Sequence, residues 1–83
     1  MSYEKELSEG VLRIGTKQTT KAVEQGRAAK VFVARDADPK LTAKIINLAK
    51  KTGVEVAYVD TMKQLGKACG IDVGTAMAAI ENK

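Results

Sequence analysis

A short basic segment rich in hydroxyl groups is the part of this 83-residue sequence whose side chains could do chemistry. Its residues are, in order, Gly15, Thr16, Lys17, Gln18, Thr19, Thr20 and Lys21. It contains no carboxylate and no large apolar side chain, and it follows the apolar stretch 11–14. If a helix begins here, its first turn offers free backbone N–H groups, the positive end of the helix dipole and two ammonium groups. Such a helix start is suited to binding an anion.

The spacing of the polar residues decides what this helix start could recognise. Lys17 and Lys21 are four residues apart and therefore share one side of the helix, next to Gln18. Lysines in a first turn oppose the helix dipole, whereas the Gln18 amide can both donate to and accept from a base edge. Gly15 permits close approach of a ligand to the backbone. Two interpretations stay open: a nucleic-acid site, or an ordinary strand-to-helix turn with a Thr16 cap and solvated lysines.

The charge of the chain is positive, and the excess is local. Fourteen Lys and Arg residues against ten Asp and Glu residues give a net charge of +4. Between residues 12 and 35 the basic residues are Arg13, Lys17, Lys21, Arg27, Lys30 and Arg35, and the only acidic residue is Glu24. A positive region attracts anions and speeds their encounter. A solvated surface that keeps the protein soluble explains the same composition, so charge alone does not choose between them.

Several classes of function are excluded or disfavoured by what the sequence lacks. Without histidine there is no His-based metal site and no His general base. The absence of both glycine-rich nucleotide-binding motifs argues against a small nucleotide-binding or phosphoryl-handling enzyme. Asp36 and Asp38 could suggest a metal site, but a loop turn and a helix cap explain them. We therefore predict no enzyme activity, no catalytic residues, no metal and no cofactor.

The cysteine and the hydropathy pattern bear on the cellular compartment. The single cysteine, Cys69, cannot form an internal disulfide and is typical of a small packed residue in a reducing compartment. No apolar run approaches the ~20 residues that a membrane helix needs, and the N-terminus has no signal-peptide core. We therefore expect a cytoplasmic protein with no membrane partner.

The rest of the sequence predicts the elements that hold the basic segment in place. Caps, glycines and one proline divide the chain into alternating helices and strands. Helices are predicted over residues 2–7, 16–25, 38–53 and 61–70, and strands over residues 11–14, 30–35, 54–59 and 75–81. The continuous apolar run 31–34 is typical of a strand covered on both faces. This alternation predicts an α/β domain in which a four-stranded sheet lies between helical layers.

The local signals also predict the ends and inner faces of the helices. The predicted caps are Ser2, Thr16, Asp38 and either Asp60 or Thr61, and the predicted helix stops are Gly10, Gly26, Gly53 and Gly70. The predicted inner faces are Thr19, Ala22 and Val23 in one helix, Leu41, Ile45, Leu48 and Ala49 with Ile46 beside them in the next, and Met62, Leu65 and Cys69 in the last.

Two separated motifs resemble those of a known family. The first is Gly-x-Lys-Gln-Thr-x-Lys over residues 15–21, and the second is Leu-Gly-x-x-Cys-Gly over residues 65–70. With this order and spacing, the chain resembles the kink-turn-binding ribosomal protein family (the L7Ae and L30e type) from about residue 7 to residue 80. Within that family it is similar to the small bacterial members of the YbxF type. The resemblance implies one RNA-binding domain over residues 1–83, built as a three-layer α/β/α sandwich with a mixed four-stranded sheet.

The resemblance also implies a target, the kink turn, which is an RNA helix sharply bent at a short bulge beside sheared G·A pairs. The implied RNA-binding residues are Gly15, Thr16, Lys17, Gln18, Lys21, Arg35, Ile71, Asp72, Val73 and Gly74. The helix start would contact the guanines and the neighbouring backbone, and Arg35 would add a phosphate contact. The loop over residues 70–75 would cover the bulged nucleotides through Ile71 and Val73. From position alone, that loop is also explained as a plain helix-to-strand turn with Ile71 in the core.

Some alternatives remain open at this point. The archaeal type usually has Asn-Glu where this chain has Lys17 and Gln18, and the Lys-Gln pair is similar to the L30e and bacterial forms. The RNA partner expected for a monomeric member is a kink turn in ribosomal RNA, a riboswitch or a messenger RNA, with ribosome association as a further expectation. A protein-interaction subunit whose basic region docks an acidic partner is the main competing hypothesis.

Overall fold

The chain alternates between strand and helix throughout the part that can be described. The computed structural model describes residues 11–81. Its elements are β1 (Val11–Ile14), α1 (Thr16–Glu24), β2 (Ala28–Ala34), α2 (Pro39–Thr52), β3 (Glu55–Val59), α3 (Met62–Ala68) and β4 (Met77–Glu81). The helix predicted over residues 2–7, with its cap Ser2 and its stop Gly10, lies outside the described residues.

The four strands form one mixed sheet with the order β1-β4-β2-β3. β4 runs antiparallel to both of its neighbours, and β3 runs parallel to β2. α1 and α2 pack on one face of this sheet, and α3 packs on the other. The predicted α/β/α sandwich with a mixed four-stranded sheet is confirmed.

The central strands are apolar on both faces because helices cover both. In β2, Val31 and Val33 point into the cluster with α1 and α2, whereas Phe32 and Ala34 point into the cluster with α3. All four are at most 1% exposed. A strand alternates its side chains between the faces, so a strand buried on both sides needs an apolar residue at every position. The reading of residues 31–34 as a doubly covered strand is confirmed.

Local signals set the ends of α2 and α3 as predicted. The Asp38 carboxylate accepts a hydrogen bond from the Lys40 amide at 2.9 Å, and Pro39 opens α2. Gly53 ends the same helix with a left-handed φ of 78°. Of the two alternatives for α3, Thr61 is the cap, because its hydroxyl accepts from the Gln64 amide at 3.0 Å.

The predicted cap of α1 is wrong. Gly15 occupies the N-cap position, Thr16 is the first helical residue, and no cap side chain bonds the first turn. Gly15 has φ 96° and ψ 165°, a region open almost only to glycine. Its amide donates to the Met77 carbonyl at 3.0 Å, and its carbonyl accepts from the Thr19 amide at 2.9 Å. The chain therefore uses the backbone turn at Gly15, rather than a threonine hydroxyl, to begin the helix.

Three predicted strand starts shift, and in two of them a hydrogen bond outside the sheet takes the amide of the predicted first residue. β4 begins at Met77 rather than at Thr75, since the Thr75 amide donates to the Met62 carbonyl at 3.1 Å. β3 begins one residue later than predicted, since the Val54 amide donates to the Ala49 carbonyl at 2.8 Å. β2 starts earlier, at Ala28, with a register irregularity before Lys30.

Two residues predicted to face inward are more exposed than expected. Leu41 is 38% exposed and Met62 is 37% exposed, whereas Ile45 and Leu65 are buried. Each of the two exposed residues lies in the first turn of its helix. A helix that follows a strand begins past the end of that strand, so its first turn extends beyond the sheet that would cover it.

The segment between α3 and β4 lies directly against α3. The Ile71 amide donates to the Gly66 carbonyl at 3.0 Å. Gly66 is buried, and a Cβ on it would overlap the Val73 carbonyl oxygen and lie 3.0 Å from the Gly74 Cα. Close approach of the loop backbone to α3 therefore requires glycine at this position.

An ion cluster lies at the end of the sheet opposite to this loop. The buried carboxylate of Glu81 accepts from Arg13 Nε at 3.0 Å and from Arg13 Nη2 at 3.3 Å, and Arg27 Nη2 lies 3.4 Å away. Hydrogen bonding to Arg13 lowers the pKa of Glu81, partial desolvation opposes this, and the charges of both arginines add to the lowering. The same hydrogen bond raises the pKa of Arg13.

The ion cluster predicts a loss of stability in acid. Because the pKa of Glu81 is lower in the folded chain, the unfolded chain takes up the proton first as pH falls. The free energy of unfolding should therefore decrease as pH falls from the ordinary glutamate value of 4.5 through the lowered folded value. Chemical denaturation between pH 7 and pH 2 measures this. Glu81→Gln should be less stable at pH 7 and less sensitive to acid, whereas Glu24→Gln, at an exposed position, should keep the wild-type sensitivity. Equal acid sensitivity of wild type and Glu81→Gln would contradict the assignment.

The packing of Gly66 predicts an unusual sign for a glycine substitution. Inside a helix, Gly→Ala ordinarily stabilises by about 1 kcal/mol. Here we expect Gly66→Ala to destabilise the fold by about 1–3 kcal/mol, because the loop backbone must move away from the new methyl group. Denaturant unfolding gives the energy, and hydrogen exchange of the amides of residues 71–75 reports the loop.

Gly53→Ala is the matched control for this prediction. Its φ is positive, so it also costs stability, but nothing lies within 4 Å of an added Cβ. In Gly53→Ala, the hydrogen exchange of the amides of residues 71–75 should stay as in the wild type. A Gly66→Ala protein that is more stable than the wild type, with unchanged hydrogen exchange in the loop, would contradict the prediction. It would show that the loop backbone can accept a methyl group at position 66 without loss of stability.

Candidate functional site

One end of the sheet brings together the three segments predicted from the sequence to bind RNA. β1 and β2 both run antiparallel to β4, with Ile14 opposite Ala78 and Val33 opposite Met77. β3 runs parallel to β2, with Ala34 beside Val59. The carboxyl ends of β1, β2 and β3 therefore meet the beginning of β4. The tip of α1, the turn after β2 and the loop 71–74 all emerge at this end, which we call the loop end of the sheet.

The tip of α1 is held at the loop end by Gly15, through its hydrogen bond to Met77. The first intrahelical bond comes from the Thr19 amide, so the preceding amides of the first turn have no carbonyl partner within the helix. Gly15 offers them no side chain, and α1 has no acidic residue in its first turn. Free amides and an uncompensated dipole leave this tip electropositive.

The polar side chains of α1 divide between its two sides as predicted. Thr19, Ala22 and Val23 are completely buried against the sheet. Lys17, Gln18 and Lys21 are exposed. Within residues 11–81 none of these three exposed side chains has a hydrogen-bond or ion-pair partner in the structure. One face of α1 therefore anchors the helix, and the other presents two ammonium groups and one amide to solvent. The prediction of two lysines in the first turn is wrong for Lys21, because α1 has only nine residues and Lys21 lies in its last turn.

The loop before β4 exposes an aliphatic side chain at the same end of the sheet as this tip. Val73 is 69% exposed, and Asp72 and Gly74 are exposed as well. Ile71 is half-buried. Its exposure is therefore intermediate between the two predicted alternatives, a side chain that covers bulged nucleotides and a side chain in the core. Thr75 is buried and anchors the loop, because its hydroxyl donates to the Met77 carbonyl at 3.0 Å. The loop thus ends at the same residue of β4 that holds Gly15.

Arg35 lies in the turn after β2, at the loop end of the sheet. Its amide donates to the Val59 carbonyl at 2.7 Å. Its side chain is 64% exposed, with Nε 3.9 Å from Asp60 Oδ1. Its guanidinium carbon lies 5.2 Å from the ring centre of Tyr58, a contact that the sequence did not indicate.

The two aspartates of the following turn serve the backbone. Asp38 caps α2, and Asp36 Oδ1 accepts from the Met62 amide at 2.8 Å and so connects this turn to the start of α3. Within residues 11–81, no three acidic or cysteine side chains come together as a metal site would need. The interpretation of Asp38 as a helix cap is confirmed. Asp36 accepts a hydrogen bond from the first residue of α3, which is 26 positions away, so no local pattern could have indicated it.

Cys69 packs as a small apolar residue at the end of α3. It is half-buried against the cluster that contains Leu65 and Phe32. Burial raises the pKa of its thiol, which reduces the thiolate fraction and its reactivity. In the described part of the chain, no helix is both long and apolar enough to span a membrane.

Comparison with known proteins places this arrangement in a family. Residues 2–83 match the model of the "Ribosomal protein L7Ae/L30e/S12e/Gadd45 family". An RNA-binding protein of Geobacillus sp. (strain WCH70) is 52% identical over 80 residues, which cover 96% of this chain and 98% of that one. The RNA-binding protein YbxF of Geobacillus stearothermophilus is 51% identical over 80 residues, with the same coverage.

A solved structure agrees with the sequence comparison. The Giardia lamblia 15.5kD RNA binding protein superposes with a TM-score of 0.85 at 27% identity, over 96% of this chain and 68% of that one. The match of fold and the match of sequence both extend over nearly the whole chain. The resemblance drawn from residues 15–21 and 65–70 is therefore confirmed, and the chain belongs to the ribosomal protein L7Ae/L30e/S12e/Gadd45 family.

Proposed function

We propose that this chain is an RNA-binding protein of the ribosomal type that recognises and stabilises kink-turn RNA. One observation carries the proposal. The exposed Lys17 and Gln18 lie at the tip of α1, with the exposed Lys21 one turn further along the helix. They share the loop end of the sheet with the exposed Val73, because Gly15 and Thr75 both donate hydrogen bonds to the Met77 carbonyl. Family membership and relatives named for RNA binding support the class of ligand.

The chemistry of the loop end suits bent RNA better than straight RNA. The major groove of a regular A-form helix is too deep and narrow for side chains to read. A sharp kink opens one side of that groove, so that a helix tip can reach base edges. Gln18 can donate to and accept from such an edge, Lys17 can donate to it, and Lys21 can neutralise a phosphate. The aliphatic Val73 can cover bases that the bulge leaves unpaired.

Binding of this kind stabilises the bent state without chemistry. A ligand shifts a conformational equilibrium only by its differential affinity for the two states. A surface that fits the kinked RNA and not the extended one therefore holds the RNA bent. The prediction that the chain is not an enzyme is confirmed by its membership of a ribosomal protein family and by its similarity to proteins named for RNA binding.

The proposal has a direct test. In a gel-shift or calorimetric titration, the chain should bind a kink-turn hairpin clearly more tightly than a straight duplex of the same length and composition. Crosslinking in cells followed by sequencing of the bound RNA then identifies the target among ribosomal RNA, riboswitches and messenger leaders. Equal affinity for the two RNAs would remove the proposal and favour a general electrostatic contact or an acidic protein partner.

If the tip of α1 reads base edges, removing its side chains should reduce the affinity for the kink turn more than the affinity for a straight duplex. Lys17→Ala or Gln18→Ala should weaken kink-turn binding by about 1–3 kcal/mol and reduce the preference over the straight duplex. Calorimetry with both RNAs measures both quantities. Gln25→Ala is the matched control, since Gln25 is exposed at the other end of α1. A Gln18→Ala protein that behaves like Gln25→Ala would exclude base reading by this amide.

Phosphate contact by Lys21 predicts a different signature. Lys21→Ala should weaken binding to all RNAs alike and reduce the slope of log affinity against log salt by about one. Titrations at four or five salt concentrations give that slope. Lys51→Ala removes the same charge from an exposed position in the last turn of α2 and should leave the slope unchanged. Identical slopes for the wild type and Lys21→Ala would place Lys21 outside the interface.

A further inference from the structure

A second exposed group of side chains lies at the loop end, on the edge strand β3. Tyr58 is 48% exposed, whereas Phe32, the other aromatic residue among residues 11–81, is completely buried. The guanidinium carbon of Arg35 lies 5.2 Å from the Tyr58 ring centre, within the range of a cation–π contact. Arg35 Nε lies 3.9 Å from Asp60 Oδ1. We refer to Arg35, Tyr58 and Asp60 as the Tyr58 cluster.

The stability of the fold does not explain this cluster. The Arg35 and Asp60 side chains are 64% and 82% exposed, and ion pairs so exposed contribute little. β3 is the last strand in the order β1-β4-β2-β3, so no strand formed by residues 11–81 lies beyond Tyr58 for it to pack against. Its neighbours Ala57 and Val59 do pack into the core. An aromatic ring left half in water, under a guanidinium, is suited to contact with a ligand.

We propose that Tyr58 and Arg35 form an additional RNA contact, in which the Tyr58 ring stacks on one unpaired base and Arg35 pairs with an adjacent phosphate. This inference rests on the proposed function, because it adds a contact to the same bound RNA. An aromatic ring stacks on any base, and guanidinium is the preferred partner of phosphate. The two chemistries lie side by side here and match one nucleotide.

The position of the cluster allows one RNA to reach it and the tip of α1. β1 and β3 are separated by three strand spacings of about 4.8 Å, or about 14 Å in all. That is about the length of four stacked base steps at 3.4 Å each. Tyr58 and the tip of α1 also lie on the same side of the sheet, because Tyr58 pairs with Val33, which faces α1 and α2.

Arg35 can also exchange its contact with Asp60 for a contact with a phosphate. The amide of Arg35 is bonded to the Val59 carbonyl at 2.7 Å, which keeps the residue beside β3. Its contact with Asp60 is long and solvated, so a phosphate can replace that carboxylate at small cost. Asp60 therefore orients Arg35 in the free protein, and it competes weakly with the RNA.

The test uses the full chain and a set of kink-turn hairpins in which each bulged nucleotide in turn is abasic. On the intact hairpin, Tyr58→Leu should weaken binding about fivefold or more, because it removes the ring and keeps an apolar side chain. Tyr58→Phe keeps the ring and should bind within about twofold of the wild type. On the one hairpin that lacks the stacking base, the wild type and Tyr58→Leu should bind equally. Arg35→Gln should reduce the salt slope by about one.

The outcomes separate this inference from the proposed function. If the wild type prefers the kink turn but Tyr58→Leu binds the intact hairpin as tightly as the wild type, the additional contact is excluded and the proposed function stands. A loss with Tyr58→Leu that is the same on every abasic hairpin also excludes stacking. A wild type without preference for the kink turn removes both. Thermal unfolding of each variant shows whether any loss reflects the fold.

Discussion

The placement of β4 between β1 and β2, antiparallel to both, is the constraint on which the rest of the structure depends. Each neighbour of β4 must end where β4 begins, so the chain segments that follow β1 and β2 emerge beside the segment that precedes β4. Met77, Ala78 and Ala79 are completely buried. Helices cover both faces of this strand, and strands border both of its edges. The candidate site is thus positioned by a strand that is enclosed on both faces and both edges.

The two helices on one face of the sheet differ in how their stability arises. α2 has local support throughout, with the Asp38 cap, Pro39 in its first turn, and Lys50 and Lys51 where the dipole favours cations. α1 has no capping side chain and carries Lys17 in its first turn, where the dipole disfavours a cation. Its stability comes from tertiary packing, since Ala22 and Val23 are completely buried. A helix that departs from local rules only at its exposed tip is what a binding site requires.

Much of this fold could be predicted because its signals are local. Asp38 with Pro39, Thr61 and Gly53 act on neighbours within a few residues, and the alternation of faces in β2 is visible in its composition. The buried and exposed sides of α1 follow from helical periodicity alone. The predicted site residues also collect at one end of the sheet.

What could not be predicted depends on contacts between distant segments. Glu81 and Arg13 are separated by 68 positions, and no spacing rule connects them. Gly66 resembles an ordinary small residue until the loop backbone is seen to touch it. The local sequence favours Thr16 as the cap of α1. The hydrogen bond from the Gly15 amide to the Met77 carbonyl instead places the N-cap at Gly15. No local sequence pattern predicts that Tyr58 is exposed, because its exposure depends on the position of β3 at the edge of the sheet.

The bond between Gly15 and Met77 has a consequence for the energetics of recognition. Because the tip of α1 is attached to a strand that cannot move without disturbing the core, this part of the surface exists before any partner arrives. A partner at the loop end spends little of its affinity on ordering that tip. For a flexible partner, the entropy lost on association would then fall mainly on the partner, and the speed of complex formation would depend on how often it visits the matching shape.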